Sequence, residues 1–171
     1  MRILGVDPGL RVTGYGAIER DRTRLRVIEA GVIAPAVAAP LEVRLHELYA
    51  QLVAVIAATQ PDLMVIEELW SSYKNPTTAV LMGHARGVLC LAACARGVEV
   101  RHLAHSLVKR ALVGSGAARK EQVKRMVMQQ LGLTIAPQPD DVSDALALAL
   151  ALANMEQVTV RMARLGVAAI R

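Results

Sequence analysis

The sequence predicts an α/β domain with a mixed central sheet, in which three antiparallel strands come first and parallel strands follow, flanked by helices. Two observations support this fold class. Residues 3–6, 12–18 and 25–33 have the pattern of strands joined by short connections, which is typical of an antiparallel meander. After residue 40, helical and strand-like segments alternate, which is typical of parallel strands with helices between them.

The later elements are predicted from the spacing of their apolar residues. From Leu41 to the Pro61–Asp62 pair, leucines recur at helical spacing, which predicts an amphipathic helix. Short apolar runs predict further strands at residues 63–66 and 98–103. Further helices are expected at residues 78–96, 106–112, 119–131 and 141–155.

The chain of 171 residues is long enough for one domain with a sizeable core, which we predict to span residues 1–155. Residues 156–171 are predicted to form a C-terminal tail that is either helical or frayed. Hydrophobic residues make up 54% of the chain, but Phe is absent and aromatic residues amount to 2%. The core must therefore be built from aliphatic side chains.

The sequence favours a cytoplasmic protein that does not cross a membrane. It has no uninterrupted apolar stretch of about 18 residues, the length that a membrane span requires. Its start reaches Asp7 too early for a signal peptide. Cys90 and Cys94, four residues apart in a helical pattern, suit two reduced thiols better than a disulfide.

The net charge of +5 and the isoelectric point of about 9.7 favour a polyanionic partner. The excess is concentrated between Arg101 and Arg125, where seven basic residues face one acidic residue, Glu121. A solvated helix face accounts for part of such a pattern. The concentration of charge nevertheless favours a phosphate-binding surface.

Acidic side chains follow apolar segments at three places. Asp7 ends the first predicted strand, and the Glu67–Glu68 pair ends the fourth. Asp141 and Asp144 lie three residues apart in the first turn of the last helix, so they share one of its faces. A structural interpretation is also open, because Asp caps turns and helix N-termini.

The position of Asp144 favours a functional interpretation. It shares a helical stripe with Leu148 and Leu152, and no Lys or Arg lies nearby in sequence to neutralise it. Carboxylates that converge without a cation repel one another. They are suited to one or two Mg²⁺ or Mn²⁺ ions, which support in-line displacement at phosphate. The pattern predicts metal-dependent cleavage or transfer at a nucleic-acid phosphodiester.

Three motifs make the chain resemble the RuvC family, bacterial Holliday junction resolvases with an RNase H-like fold. They are GVDPGLRVTGYG at residues 5–16, VIEELW at 65–70 and DDVSDALALA at 140–149. HARGV at 84–88 and LVKRALVGSGAARKEQV at 107–123 are also similar to family segments. The resemblance runs from Arg2 to Met155, nearly the whole chain.

The resemblance implies a homodimer that binds a four-way DNA junction and makes paired, symmetric nicks by two-metal-ion hydrolysis in recombination and repair. It implies partnership with the branch-migration proteins RuvA and RuvB. Mg²⁺ is the implied cofactor, for which Mn²⁺ can substitute. The family pattern selects Glu67 over Glu68 and Asp141 over Asp140. The implied catalytic residues are Asp7, Glu67, Asp141 and Asp144, which also bind the metal, with Lys109 and Lys120 assisting at the scissile phosphate.

Several residues are expected to contact DNA. Trp70 stands where the family usually has Phe, and it is expected to stack on an unpaired base, although an ordinary half-buried Trp is the alternative. The other candidates are Tyr73, Lys74 and Asn75 in the same loop, Arg11 after the first strand, and Arg119 and Lys124 in the basic segment. His102 and His105 are expected to be surface residues.

Three other functions fit the sequence less well. An ATPase of the actin and sugar-kinase class needs a second, similar domain, for which 171 residues leave no room. An RNase H-like nuclease that acts on RNA–DNA hybrids, or a Holliday-type hydrolase of another lineage, does not account for the spacing of Lys109 and Lys120 or for the aromatic residue after Glu67. A junction-binding module without activity is disfavoured because all four acidic positions are filled.

Overall fold

The computed structural model describes residues 1–22, 24–68 and 75–164. Strands and helices alternate largely as the apolar spacing predicts. The strands are β1 (Arg2–Asp7), β2 (Thr13–Asp21), β3 (Arg24–Ile33), β4 (Leu63–Glu67) and β5 (Glu99–Leu103). The helices are α1 (Leu41–Thr59), α2 (Pro76–Ala95), α3 (His105–Val113), α4 (Lys120–Leu131) and α5 (Asp140–Arg164).

The strands form one sheet in the order β3-β2-β1-β4-β5. β2 pairs antiparallel with both β1 and β3, whereas β4 pairs parallel with both β1 and β5. The predicted mixed sheet is confirmed. Because β1, β4 and β5 run in the same direction, their C-terminal ends meet at one edge of the sheet.

Alternate residues of the central strands face two aliphatic cores. Ile3 and Val65 pack beneath α3, α4 and α5, whereas Leu4 and Met64 pack beneath α1 and α2. Side chains alternate between the two faces of a strand. The odd-numbered positions of β1 and β4 therefore face α5, and these are the positions that include Asp7 and Glu67.

Two glycines allow α5 to cross the sheet at close range. A Cβ atom on Gly5 would lie 1.9 Å from the carbonyl oxygen of Ala145, and one on Gly14 would lie 2.1 Å from that of Asp141. Only a residue without a side chain leaves room for the helix backbone at these points. Gly14 is paired with Asp7 across β1 and β2. The first turn of α5 is thereby brought against the end of β1.

Helix α5 extends to Arg164, beyond the predicted domain end at residue 155. A polar contact with β2 accounts for part of this extension. Arg20 Nη2 donates a hydrogen bond to Asn154 Oδ1 at 2.9 Å, and Arg20 Nη1 donates one to Gln157 Oε1. These bonds hold the helix against the sheet after its Ala- and Leu-rich stretch ends.

Helix α2 begins at Pro76 because Asn75 caps it, its Oδ1 accepting a hydrogen bond from the Thr77 N–H at 2.9 Å. Among the described helices it is the one whose length and mean hydropathy of 1.5 fit a membrane span, a property that core helices share. Ala85 and Leu89 are buried in the core, while 22% of its apolar window is buried overall. Its opposite face is accordingly apolar and open.

Candidate active site

Two carboxylates lie side by side where β1 and β4 end. Val6 pairs with Ile66 in the parallel register, so Asp7 and Glu67 are the next residues on neighbouring strands. Both occupy positions that face α5. Glu68 lies beyond the end of β4, where its backbone N–H donates to the carbonyl oxygen of Leu103 at 3.0 Å. The alternation of the strand thus places Glu67, the glutamate selected by the family pattern, on the side of α5.

Helix α5 brings Asp141 and Asp144 to the same edge of the sheet, but to different surroundings. Asp144 lines a cleft of about 100 Å³ together with Glu67 and residues of α3 and α4. Asp141 lies against Gly14 and lines a wider groove beside the turn of residues 9–12. The two aspartates therefore line two different clefts at this edge of the sheet.

Asp7 is the carboxylate at which these charges converge. Its pKa is raised to about 7, first by burial and then by the negative charges of Asp144, Glu67 and Asp141. The positive charge of Lys120 acts in the opposite direction without offsetting them. A cation beside a carboxylate in this position would stabilise its ionised form.

The chemistry of these donors fits a divalent cation of the hard, oxygen-binding kind. Within the described part of the chain, no three His, Cys, Asp or Glu side chains are gathered closely enough to hold one ion in this conformation. The negative charges of Asp144, Glu67 and Asp141 nevertheless lie close enough to Asp7 to raise its pKa. The same four residues are those that the sequence predicts as metal ligands, and their assignment stays a prediction.

Lys120 supplies the counter-charge of Asp144 that the neighbouring sequence lacks. Its Nζ lies 2.8 Å from Asp144 Oδ2 and 3.2 Å from Asp140 Oδ2. Burial lowers the pKa of Lys120, but the hydrogen bonds to Asp144 and Asp140 outweigh it, so the pKa is raised overall. Lys109 lines the same cleft. The structure thus brings both predicted lysines to Glu67 and Asp144.

The predicted DNA-contacting residues are spread around this site. Arg11 lines the groove beside Asp141. Lys124 pairs with Asp140, and Arg119 precedes α4, where its N–H donates to Gln122 Oε1 at 2.8 Å. Asn75 caps α2. Trp70, Tyr73 and Lys74 lie outside the described residues, so the interpretation of this loop stays a prediction.

Arg86 is a residue of the site region that sequence reasoning left without a role. Its Nε donates to the carbonyl oxygen of Glu67 at 3.0 Å, and its Nη2 lies 2.6 Å from His102 Nδ1. Burial and the charge of Arg86 lower the pKa of His102, which keeps that ring neutral and able to accept this bond. Arg86 lies in the family-like HARGV segment at residues 84–88, and this motif could have pointed to it as a residue of the site. It ties α2 to the backbone of Glu67.

His105 and Asp140 were also missed. His105 is exposed, as predicted, but its Nδ1 lies 3.0 Å from Glu67 Oε1. The family pattern selects Asp141 rather than Asp140 as a metal ligand. Asp140 is nevertheless the acid that pairs with both Lys120 and Lys124. Residue type alone offered no signal for either contact, because each joins segments distant in the sequence.

A mixed sheet in this order, flanked by helices and ending in carboxylates beside a lysine-lined cleft, defines the class of nucleases with an RNase H-like fold. The comparisons with known proteins narrow this class. The model of the family "Crossover junction endodeoxyribonuclease RuvC" matches residues 3–152. The chain belongs to the RuvC family, as the resemblance of its motifs indicated.

Individual relatives agree with this membership. The crossover junction endodeoxyribonuclease RuvC of Rhodopirellula baltica is 48% identical over 148 residues, which cover 86% of this chain and 83% of that protein. The structure of Thermus thermophilus RuvC is similar with a TM-score of 0.85 and 32% identity, covering 92% of this chain and 96% of that one. A complex of the same Thermus protein with a Holliday junction substrate matches with a TM-score of 0.85, 30% identity and the same coverage.

Proposed function

We propose that this chain is a metal-dependent endonuclease that resolves Holliday junctions by paired, symmetric nicks in homologous recombination and DNA repair. One observation carries the proposal: the half-buried carboxylate of Asp7 lies under the charge of three further carboxylates, beside a cleft that contains Lys109 and Lys120. Carboxylates of this kind hold cations, and lysines bind phosphate. Membership of the RuvC family supports the junction as the substrate.

The proposed metal ligands are Asp7, Glu67, Asp141 and Asp144. Two Mg²⁺ ions, replaceable by Mn²⁺, would supply activation of water and stabilisation of the leaving oxygen. The side chains of the protein orient the substrate. Lys120 is already charged and held by Asp144 and Asp140, and with Lys109 it is placed to bind the phosphate that enters the cleft.

The remaining DNA contacts follow from the position of this cleft. Arg119 and Lys124 extend the positive surface along α4, and Arg11 extends it on the side of Asp141. We propose that these residues bind the backbone of the junction arms. Trp70 is proposed to stack on an unpaired base at the junction point, and Tyr73, Lys74 and Asn75 are proposed to contact DNA nearby.

The open face of α2 supports a homodimer. Val80 and Leu91 are each 59% exposed, and a Cβ atom on Gly83 or Gly87 would meet nothing within 4 Å among the described residues. Such a small and apolar helix face allows the same helix of a second copy to approach closely. Two copies related in this way would present two cleavage sites, as paired nicks require.

We also propose that residues 1–155 form the nuclease domain. A cytoplasmic location and cooperation with RuvA and RuvB are proposed on the same grounds. They rest on membership of the family, whose model ends at residue 152. The part of α5 at residues 156–164 belongs to the proposed tail.

A cleavage assay tests the proposed function. A synthetic four-way junction, a linear duplex and an RNA–DNA hybrid are incubated with the protein in Mg²⁺, in Mn²⁺ and in EDTA. Symmetric nicks in the junction alone, lost in EDTA, are expected. Asp7→Asn is expected to abolish cleavage while leaving junction binding unchanged. Cutting of the hybrid alone would replace the junction as substrate, and tight binding without cleavage would indicate a binding module.

A further inference from the structure

His105 lies against Glu67 because of the way β4, β5 and α3 follow one another. Glu67 pairs with Leu103 at the end of the parallel register of β4 and β5. The chain turns at Ala104, and His105 is the first residue of α3. Its Nδ1 is therefore carried to 3.0 Å from Glu67 Oε1, inside the cleft that also contains Asp144 and both lysines.

This contact contributes little to the stability of the fold. The side chain of His105 is 62% exposed and that of Glu67 is 31% exposed. An ion pair so open to water is screened and holds two side chains at an entropic cost. The contact is of interest because of its location at Glu67, at the end of β4, and not because of its strength.

The chemistry of the contact is that of a hydrogen bond that orients a metal ligand. An imidazole Nδ1–H donates to a carboxylate oxygen whether or not the other ring nitrogen is protonated. A carboxylate has about four lone-pair sites, so one bond at Oε1 leaves Oε2 and a further lone pair for a cation. Outer partners that hold a ligating side chain in this way change metal affinity by about 10–100-fold when they are removed.

We propose that His105 is a positioning residue for Glu67, which holds that carboxylate in the orientation required for divalent-metal binding. This inference rests on the proposed function of the same site. It adds a supporting residue from α3 to the proposed metal ligands, which come from β1, β4 and α5.

The test is calorimetric titration of the full-length protein with Mn²⁺ alone, without DNA. Compared with the wild type, His105→Ala is expected to weaken Mn²⁺ binding by about tenfold. His105→Asn is expected to restore most of the affinity, because Asn Nδ2 can donate from the position of Nδ1. His46→Ala, which removes an exposed histidine of α1, is the control and should bind as the wild type does.

A junction-cleavage assay provides a second measurement. His105→Ala should bind the junction normally and cut slowly at low Mn²⁺, and raising Mn²⁺ should restore its rate. Unchanged or tighter Mn²⁺ binding in His105→Ala would overturn the inference, as would a failure of Asn to restore the affinity. If the wild type binds Mn²⁺ and cuts the junction, and His105→Ala does both equally well, the inference about His105 is overturned. The proposed function then still stands. A wild type that does neither overturns both.

Discussion

At Asp7, burial and neighbouring carboxylates raise the pKa to about 7. The folded protein therefore retains a proton at pH values where the unfolded chain, with the ordinary pKa of 3.8, has released it. In the absence of divalent ions the stability linked to this proton is complete below pH 3.8 and is lost as the pH rises toward 7. A charged Asp7 thus destabilises the metal-free protein at neutral pH.

Asp7→Asn removes this penalty. In EDTA, we expect the variant to gain about 2–3 kcal/mol more stability over the wild type at pH 8 than at pH 5, at about 1.4 kcal/mol for each pKa unit. Urea unfolding at the two pH values measures the difference. Asp21→Asn, at an exposed acid, should show no such dependence. An equal gain at both pH values would show that Asp7 is not the ionising group.

Lys120 is placed to act in cleavage rather than in stability. Its bonds to Asp144 and Asp140 join side chains that are 34–50% exposed, and exposed pairs contribute at most about 1 kcal/mol. We expect Lys120→Ala to slow junction cleavage at least about 100-fold, the scale of losing one group that stabilises transition-state charge, with little change in unfolding free energy.

Single-turnover cleavage and thermal unfolding measure these two effects of Lys120→Ala. Arg125→Ala, which removes an exposed cation farther along α4, is the matched control. A wild-type rate for Lys120→Ala would remove Lys120 from the mechanism, whereas loss of folding would assign it a structural role.

At the scale of elements, the site depends on how closely α5 approaches the sheet. A Cβ atom at Gly14 would lie 2.1 Å from the carbonyl oxygen of Asp141, which is too close, so α5 would have to move. We expect Gly14→Ala to cost about 1–3 kcal/mol of stability, as overpacking does, and to lower the cleavage rate by displacing Asp141 and Asp144.

Gly16→Ala is the matched control for Gly14→Ala. It lies on the same strand and the same face, but its Cβ would first meet the side chain of Leu146, which can move more easily than backbone. Chemical unfolding and cleavage rates should therefore show a smaller loss for Gly16→Ala. Equal effects would show that the backbone contact at Gly14 does not position α5.

At the scale of the whole molecule, the proposed paired nicks would be made by two copies of the chain. A charge on the open face of α2 should prevent their association, because desolvating an unpaired carboxylate in an apolar interface is costly. We expect Leu91→Glu to be monomeric in sedimentation and to lose coordinated cleavage of the two strands. Val37→Glu, at a position with 61% exposure outside α2, should leave the assembly unchanged. A dimeric Leu91→Glu protein would exclude this face.

The sequence by itself determined the mixed sheet, the order of its elements and the family of the protein. These features are recorded locally, in the period of apolar residues, in turns such as Pro8–Gly9 and in motifs that keep fixed spacing around Asp7 and Asp144. The identity of the acids at strand ends could also be predicted, since a strand that ends in a carboxylate is visible in the sequence.

Only the tertiary structure decided how these residues meet. It assigned Lys120 as the counter-charge of Asp144, placed Asp141 in a separate groove, and brought Arg86 and His105 to Glu67. Each contact joins residues 19 or more positions apart, or depends on the register of parallel strands. Sheet order and helix packing set such distances, because local spacing constrains only neighbours within a turn or a strand.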